Sequence, residues 1–337
     1  MNFKHGGDVE AFASQVGCSV DEVIDLSSNI NFLKPEISFD FNSLDISAYP
    51  TYDILYNTIG ELYNIESSEM ELFNGGSSAI FSLFRLFSTT TVNIYSPAYL
   101  EYKKAATRLN YNIELINRFT ELHKEVSEGS LVVFVNPTTP EGSFYDIEKL
   151  MDSWMKKNCT ILIDESFLDF TNHKSSREYL KHYDKLYILK SMTKFYSSAG
   201  IRLGVVVSNS ENIKQLKACE PLWKISQFDS HYIQHALKDE NFSKISKAVN
   251  ITNKEYLKQI IKNFKYTQHI IDSDANFILV QLKTIDAPTF QEFLKPYKIM
   301  VRDCSNFDFL DESFVRIAVK SQKDLEILEK SLQKIVR

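Results

Sequence analysis

A lysine that shares a short stretch of chain with a serine and an arginine is the feature with the most specific chemistry. Ser191 lies three residues before Lys194, and Arg202 lies eight residues after it. A lysine amine can attack an aldehyde, whereas a hydroxyl and a guanidinium can bind a phosphate. A lone lysine after a strand would indicate only a polar turn. The three side chains together predict a site for a ligand that carries both an aldehyde and a phosphate.

Two polar residues at the ends of apolar runs could complete such a site. Asp164 follows the run 160–163 and can pair with a protonated pyridine nitrogen, which keeps the ring of pyridoxal phosphate an electron sink. Asn136 follows the run 131–135, opens the sequence Asn-Pro-Thr-Thr-Pro-Glu-Gly and could donate to the phenolic oxygen of that cofactor. Alone, an aspartate at a strand end is more often a cap or turn residue, and Asn-Pro is a turn signal.

A glycine turn before a predicted helix supplies a further candidate for phosphate binding. Gly76 and Ser77 belong to this turn, which leads into the apolar stretch 79–84. The first backbone N–H groups of a helix have no partner within the helix and attract anions. Glycine turns before helices are common, so this feature supports the prediction only together with the others.

In this order along the chain, these residues resemble those of the aspartate-aminotransferase fold family, which is fold type I of the pyridoxal phosphate enzymes. The resemblance extends over essentially the whole chain. It implies an α/β protein with a large domain, built on a mainly parallel sheet, and a small α+β domain. It also implies that Lys194 binds pyridoxal 5'-phosphate covalently, with the other residues named above around its phosphate and ring.

Within this family the chain is similar to the histidinol-phosphate aminotransferases and, more closely, to the threonine-phosphate decarboxylases of cobalamin synthesis. The decarboxylase-like segments are His-Gly-Gly at 5–7, Ser-Ser-Asn-Ile-Asn at 27–31, Thr-Lys-Phe-Tyr at 193–196 and Arg-Asp-Cys-Ser-Asn-Phe at 302–307. Phe167 lies where the aminotransferases usually have tyrosine. Because phenylalanine has no hydroxyl, it cannot donate a hydrogen bond to the phenolic oxygen of the cofactor. The resemblance therefore leaves Asn136 as the main donor to that oxygen.

The resemblance assigns one tyrosine to the cofactor ring and another to a neighbouring subunit. Tyr99 matches the aromatic residue that stacks on the pyridine, although core packing is the plainer explanation for a tyrosine after a strand. Tyr49, in Ala-Tyr-Pro, matches the tyrosine that reaches the cofactor phosphate of the neighbouring subunit. The resemblance therefore implies that the active form is a homodimer.

Four residues are expected on the substrate side. Asn29 matches a substrate-side asparagine, and Arg316 matches the arginine that holds the α-carboxylate through two donors. Arg302 and His5 are candidates for a second anionic group, a phosphate, although a surface position is the alternative for both. The substrate implied is a phosphorylated amino acid, L-threonine O-3-phosphate or L-serine O-phosphate.

Two reactions fit these residues equally well. In a carboxy-lyase, the α-carboxylate leaves as CO₂ and the product is a phosphorylated amino alcohol or amine. In an aminotransferase acting on a substrate such as histidinol phosphate, Lys194 moves the Cα proton and a keto acid completes the cycle. The reaction depends on which Cα bond stands perpendicular to the ring. The decarboxylase-like segments favour the first reaction. A regulator that binds pyridoxal phosphate is disfavoured, because no DNA-binding helix pair or basic region is attached.

The bulk properties narrow the class of protein. A chain of 337 residues, 44% hydrophobic and 13% aromatic, can bury a large core and exceeds one ordinary domain. The net charge of −6 argues against nucleic acid and anionic membranes as partners. Without a charged-then-apolar leader or a membrane-spanning apolar run, we expect a cytoplasmic protein. The four scattered cysteines predict free thiols, and no metal-ligand motif occurs, so no metal is expected.

Apolar runs that alternate with amphipathic stretches predict the α/β organisation. The predicted strands of the large sheet cover about 91–95, 131–135, 160–164, 185–190 and 203–207. The later predicted elements are a helical region at 210–270, strands at 275–281 and 315–319, a helix at 290–294 and a C-terminal helix capped by Ser321. We expect residues 1–40 to join a small domain of residues 241–337, and residues 41–240 to form the large cofactor-binding domain.

Overall fold

The computed structural model describes residues 7–335, so the predicted substrate residue His5 lies outside the described residues. The strands are β1 (Ile24–Asp25), β2 (Met70–Phe73), β3 (Thr91–Ser96), β4 (Asn112–Asn117), β5 (Leu131–Val135), β6 (Thr160–Asp164), β7 (Leu186–Ser191), β8 (Gly204–Val207), β9 (Thr267–Ile271), β10 (Phe277–Leu282), β11 (Ile299–Met300), β12 (Arg302–Asp303) and β13 (Phe314–Ala318). The helices are α1 (Val9–Val16), α2 (Asp53–Tyr63), α3 (Gly75–Leu86), α4 (Leu100–Arg108), α5 (Glu148–Lys156), α6 (Met192–Phe195), α7 (Ser210–Ala218), α8 (Gln227–Leu237), α9 (Glu240–Lys262), α10 (Ala287–Leu294) and α11 (Gln322–Ile335).

The larger sheet has seven strands in the order β2-β8-β7-β6-β5-β3-β4. Its neighbouring strands are parallel except around β8, which is antiparallel to both β2 and β7. Strands β5, β6 and β7 are almost entirely buried, as expected for parallel strands with helices on both faces. The prediction of an α/β fold with a mainly parallel sheet is confirmed.

The five strands predicted for this sheet occur within two residues of their predicted ends, whereas β2 and β4 were missed. Strand β4 lies at the sheet edge and pairs only with β3, and two of its six residues, Asn112 and Glu114, are polar and exposed. Strand β2 is only four residues long, and its Glu71 is buried through ion pairs with Lys217 and Lys224. Neither segment therefore shows a long apolar run.

The smaller sheet is antiparallel, in the order β12-β13-β10-β9. The strands predicted at 275–281 and 315–319 correspond to β10 and β13. The prediction of helix throughout 210–270 is wrong at its end, because residues 267–271 form β9 against β10. Helix α10 also begins earlier than predicted, since Asp286 caps it by accepting a hydrogen bond from the Thr289 N–H group.

The N-terminal part of the chain pairs with this C-terminal region. Strand β1 lies parallel to β11, and Leu26 packs among the apolar side chains of β10, β13 and α11. The Leu26 carbonyl accepts a hydrogen bond from the Ala318 N–H group. Helix α9 contributes to both hydrophobic cores. Its Phe242 packs in the core of the large sheet, and its Leu257 packs in the core of the small sheet. The domain boundaries at 40/41 and 240/241 stay predictions.

Neither a membrane-spanning helix nor a metal-ligand cluster occurs in the described part of the chain. None of its helices is both long and apolar enough to cross a bilayer. Within residues 7–335, no group of three or more histidine, cysteine or acidic side chains could hold a metal ion. The four cysteines are free thiols.

Candidate active site

A cavity of about 370 Å³ lies at the carboxyl ends of β6 and β7, beside the N-terminus of α3 and the small sheet. The predicted site residues that line it are Asn29, Gly76, Ser77, Tyr99, Asp164, Ser191, Lys194, Arg202, Arg302 and Arg316. Parallel strands bring their carboxyl ends to one edge of a sheet, which is where ligands of such folds bind. Residues far apart in sequence therefore meet in one cavity.

Lys194 lies in the short helix α6, directly after β7. Burial is the main reason why the pKa of its amine lies below the usual value. The charge of Asp164 opposes this shift, whereas Arg202 and Arg316 add to it. The Lys194 amine also lies 5.1 Å from the centre of the Phe167 ring. A lowered pKa increases the fraction of neutral amine, which is the nucleophilic form.

Asp164 is the last residue of β6, and its carboxylate is buried. One oxygen, Oδ1, accepts a hydrogen bond from the Ser166 N–H group at 2.8 Å. The other, Oδ2, accepts one from the Tyr102 hydroxyl at 2.8 Å. Both oxygens are thus held in place at the wall of the cavity.

Asn136 lies directly after β5 but does not line the cavity. Its amide is hydrogen-bonded to the backbone of Tyr145, through Oδ1 at 2.9 Å and Nδ2 at 3.0 Å. In this structure the amide therefore closes the loop 136–145. Its donation to the phenolic oxygen of a cofactor stays a prediction.

A cluster of donors suited to phosphate forms where α3, β8 and Arg202 approach one another. A Cβ atom on Gly204 would lie 2.7 Å from the Gly76 nitrogen, so only glycine allows β8 to approach α3 this closely. Gly75 has φ +81°, and a Cβ there would lie 2.5 Å from Nη2 of Arg202. The start of α3 presents free N–H groups at this point, and the hydroxyl groups of Ser77 and Ser191 line the same cavity.

Tyr99 caps the start of α4, and its ring borders the cavity. Its hydroxyl and that of Ser77 are 3.1 Å apart and share a hydrogen bond. The tyrosine therefore connects the turn at Ser77 to the rest of the cavity wall. Stacking on a cofactor ring stays a prediction for this residue.

Arg302 and Arg316 face each other on the neighbouring strands β12 and β13. Directly opposed residues of antiparallel strands lie on the same face of a sheet, and like charges there are unfavourable. Burial, together with the charge of Arg302, lowers the pKa of Arg316 to about 10. Burial also lowers the pKa of Arg302. Two guanidinium groups that line one cavity in this way are suited to an anionic ligand.

The contacts of Arg316 use two of its five N–H groups. Its Nη1 donates to the Thr139 hydroxyl at 3.1 Å, and its Nη2 donates to the Ser27 carbonyl at 3.0 Å. Its buried Nε has no hydrogen-bond partner among residues 7–335. Arg302 donates to Oδ1 of Asn306 at 2.7 Å.

Sequence reasoning missed three side chains that support the site: Asn31, Tyr102 and Thr139. The Asn31 N–H group donates to the Lys194 carbonyl at 3.0 Å, and its amide donates to the Phe195 carbonyl at 2.8 Å. The repeated asparagine in Asn-Ile-Asn was a signal for this residue, although only Asn29 was assigned a role. Thr139 lies within the loop after Asn136, where the sequence pattern predicts only a turn.

Tyr49 lies apart from the cavity within this single chain. Its side chain is 73% exposed and stacks on Trp223, with ring centres 4.2 Å apart. The structure therefore does not bring Tyr49 together with the other predicted site residues.

The fold and the cavity define an enzyme of the aspartate-aminotransferase-like pyridoxal phosphate class, fold type I. The chain belongs to the aminotransferase class I and II family, whose model matches residues 40–335. A putative threonine-phosphate decarboxylase from Caldanaerobacter subterraneus is 28% identical, over 98% of this chain and 93% of that protein. The adenosylcobalamin biosynthesis bifunctional protein CobDQ of Leptospira interrogans is 29% identical over 95% of this chain, which spans 40% of that longer protein.

Solved structures give the same fold. The crystal structure of the histidinol-phosphate aminotransferase from Clostridium acetobutylicum has a TM-score of 0.80 and 26% identity. The match covers 93% of this chain and 99% of that chain. The chain is thus similar to proteins named for two different reactions.

The cofactor of this enzyme class is pyridoxal 5'-phosphate, and the residues of the cavity fit it. Lys194 offers a buried amine of lowered pKa for the aldehyde, and Asp164 offers a buried carboxylate for the pyridine nitrogen. The glycine-bounded space at the start of α3, with Arg202 beside it, would take the phosphate. The donor set therefore matches both ends of the cofactor.

Proposed function

We propose that the protein decarboxylates a phosphorylated amino acid, L-threonine O-3-phosphate or L-serine O-phosphate, to a phosphorylated amino alcohol or amine. The observation that carries the proposal is the pair of opposed arginines, Arg302 and Arg316, in the cavity that holds Lys194. A substrate with an α-carboxylate and a phosphate supplies one anionic group for each of the two arginines. The names of the two decarboxylase and cobalamin-synthesis relatives support the same substrate class.

Each residue has a defined part in this proposal. When bound, pyridoxal phosphate supplies an aldehyde for the substrate amine and an electron sink for the electrons of the breaking bond. Arg316 orients the α-carboxylate, and Arg302 holds the phosphate. Asp164 keeps a negative charge beside the pyridine nitrogen. As CO₂ leaves, Lys194 or a water molecule delivers the proton that replaces it on Cα.

Transamination is the second candidate, because the chain also resembles a histidinol-phosphate aminotransferase. In that reaction Lys194 would move the proton of Cα, and the carboxylate would stay on the substrate. The test is to incubate the enzyme with phosphothreonine, phosphoserine or histidinol phosphate and a keto acid. We expect CO₂ release from a phosphorylated amino acid without amino-group transfer. Stoichiometric transfer to the keto acid without CO₂ would contradict decarboxylation.

We expect substrate choice to depend on Arg302. A hydrogen bond to a charged group contributes about 1.5–3 kcal/mol, so kcat/KM should be at least about tenfold higher for a phosphorylated amino acid than for its parent. Arg302→Gln should lower kcat/KM for the phosphorylated substrate and much less for the free amino acid. Steady-state kinetics with phosphothreonine and threonine, and with phosphoserine and serine, measure both values.

Lys103→Gln is the control for Arg302→Gln. It removes a nearby cation that pairs with Asp308 outside the cavity, and it should leave the preference for phosphate unchanged. Equal losses on both substrates in Arg302→Gln would mean that Arg302 serves the carboxylate or the structure. Equal rates with and without phosphate in the parent enzyme would refute the phosphate-directed function.

We infer that the active form is a homodimer in which Tyr49 reaches the cofactor phosphate of the neighbouring subunit. Tyr49 and Trp223 stack on each other and are exposed, and large apolar side chains near them in sequence are exposed as well: Ile46, Ile54, Leu222 and Phe228. Monomeric proteins rarely expose such groups without a binding role. Light scattering should give twice the chain mass, and Tyr49→Phe should weaken cofactor binding. A monomer with full cofactor content and turnover would contradict this assembly.

A further inference from the structure

We propose that Tyr102 is a positioning residue whose hydroxyl holds Asp164 in the orientation that meets the pyridine nitrogen of the cofactor. The inference rests on the role proposed for Asp164 and applies to either reaction. It starts from the two hydrogen bonds of the Asp164 carboxylate, one from the Ser166 N–H group and one from the Tyr102 hydroxyl.

Tyr102 is the only side chain among residues 7–335 that donates a hydrogen bond to this carboxylate. No lysine, arginine or histidine in that part of the chain forms an ion pair with it within 4.0 Å. The backbone contact fixes Oδ1, and Tyr102 fixes Oδ2. Rotation of the carboxylate about its terminal bond would break both contacts. The remaining lone pairs of the carboxylate are therefore held in one direction.

The Tyr102 hydroxyl is a permanent donor. The side chain is fully buried, and burial raises its pKa well above the usual value, with the charge of Asp164 acting in the same direction. The hydroxyl thus stays protonated, and an ionised carboxylate can only accept. The direction of the hydrogen bond is therefore fixed.

Helix α4 places Tyr102 together with Tyr99. The Tyr102 N–H group donates to the Tyr99 carbonyl at 3.2 Å, and the two rings meet edge to face with centres 6.4 Å apart. Tyr99 borders the cavity, whereas Tyr102 is packed behind it near Phe84. One helical turn therefore positions both a tyrosine that borders the cavity and the hydroxyl that donates to the carboxylate.

The test is Tyr102→Phe, which removes one oxygen and keeps the packed ring. The enzyme is freed of cofactor, titrated with pyridoxal phosphate and followed by visible absorbance. We expect the dissociation constant to rise about tenfold, as for the loss of one hydrogen bond to a charged group. We also expect the pH profile of the cofactor band to shift and kcat to fall with KM nearly unchanged.

Tyr111→Phe is the matched control. Its hydroxyl donates to the Phe84 carbonyl at 2.6 Å, and its ring contacts the Phe84 side chain, but it lies outside the cavity. This variant should lower the melting temperature of the cofactor-free protein and leave cofactor affinity and the absorbance band unchanged. Equal changes in both variants would mean that Tyr102 has only a structural role. An unchanged affinity and band in Tyr102→Phe would also overturn the inference.

Asp164→Ala separates this inference from the role of Asp164. If Asp164→Ala weakens cofactor binding and Tyr102→Phe does not, the inference on Tyr102 fails alone. If Asp164→Ala binds the cofactor like the parent, the role of Asp164 fails and the inference fails with it. If Tyr102 acts through Asp164, the variant that combines Tyr102→Phe with Asp164→Ala should bind the cofactor no more weakly than Asp164→Ala alone. The reason is that both substitutions remove the same contact.

Discussion

Lys194→Ala should abolish covalent attachment of the cofactor and lower turnover by on the order of 10²–10⁴-fold or more, since both the nucleophilic amine and the proton donor are lost. The purified parent enzyme should be yellow. Borohydride reduction followed by peptide mass spectrometry should place the cofactor on the peptide that contains Lys194. The buried site and the lowered pKa of the amine are the physical reasons for this expectation.

Lys190 is the internal control for this assignment. It lies on β7, four residues before Lys194, and its amine is within 4.0 Å of Glu165 and Asp169, away from the cavity. Borohydride should leave Lys190 unlabelled in the parent and in Lys194→Ala. A reducible cofactor adduct that persists in Lys194→Ala would show that the assignment is wrong.

Replacement of Asp164 should have the second largest effect. Asp164→Asn or Asp164→Ala removes the negative charge beside the pyridine nitrogen, so the electron sink is lost and turnover should fall by several orders of magnitude. We expect the fold to remain intact, because at most two donors, the Ser166 N–H group and the Tyr102 hydroxyl, lose their acceptor, at a cost of about 1–3 kcal/mol each. Steady-state kinetics and thermal unfolding of each variant measure the two effects.

Glu165→Gln provides the comparison for Asp164. Glu165 is the next residue and is equally buried, but its carboxylate binds Ser175, Ser176 and Lys190 rather than lining the cavity. We expect Glu165→Gln to lower stability and to leave turnover close to that of the parent. Near-normal turnover in an Asp164 variant would rule out the proposed role.

The strands that could be predicted from the sequence are those in which a continuous apolar run is also buried in the fold. Strands β5, β6 and β7 are continuous apolar runs, and the polar residue that ends or follows each run marks the edge of the sheet. Edge strands such as β4 and β9 carry polar residues on exposed positions, so the same criterion did not detect them. Ser191, Lys194 and Arg202 lie close together in sequence, so a shared site could also be predicted from local pattern, and the structure places all three at one cavity.

The supporting contacts of the site could not be predicted, because they join distant parts of the chain. The Asn31 amide meets the Phe195 carbonyl and the Ser246 hydroxyl, 164 and 215 residues away. Tyr102 and Asp164 are 62 residues apart, and Thr139 and Arg316 are 177 apart. Only the packing of strands and helices in three dimensions brings these partners together.

The close approach of Gly204 to Gly76 has a consequence for how such an enzyme can change during evolution. The end of the cavity at Gly76 is shaped by backbone atoms that leave no space for a side chain on Gly204, so most substitutions of Gly204 would disturb the fold itself. Other parts of the lining are made of side chains such as Asn29, Arg302 and Arg316, which come from the N-terminal segment and the small sheet. If these side chains bind the substrate as proposed, we expect substitutions among them to alter the preferred substrate more than cofactor binding. A single scaffold can thus diversify into enzymes for different phosphorylated substrates while its cofactor chemistry is inherited unchanged.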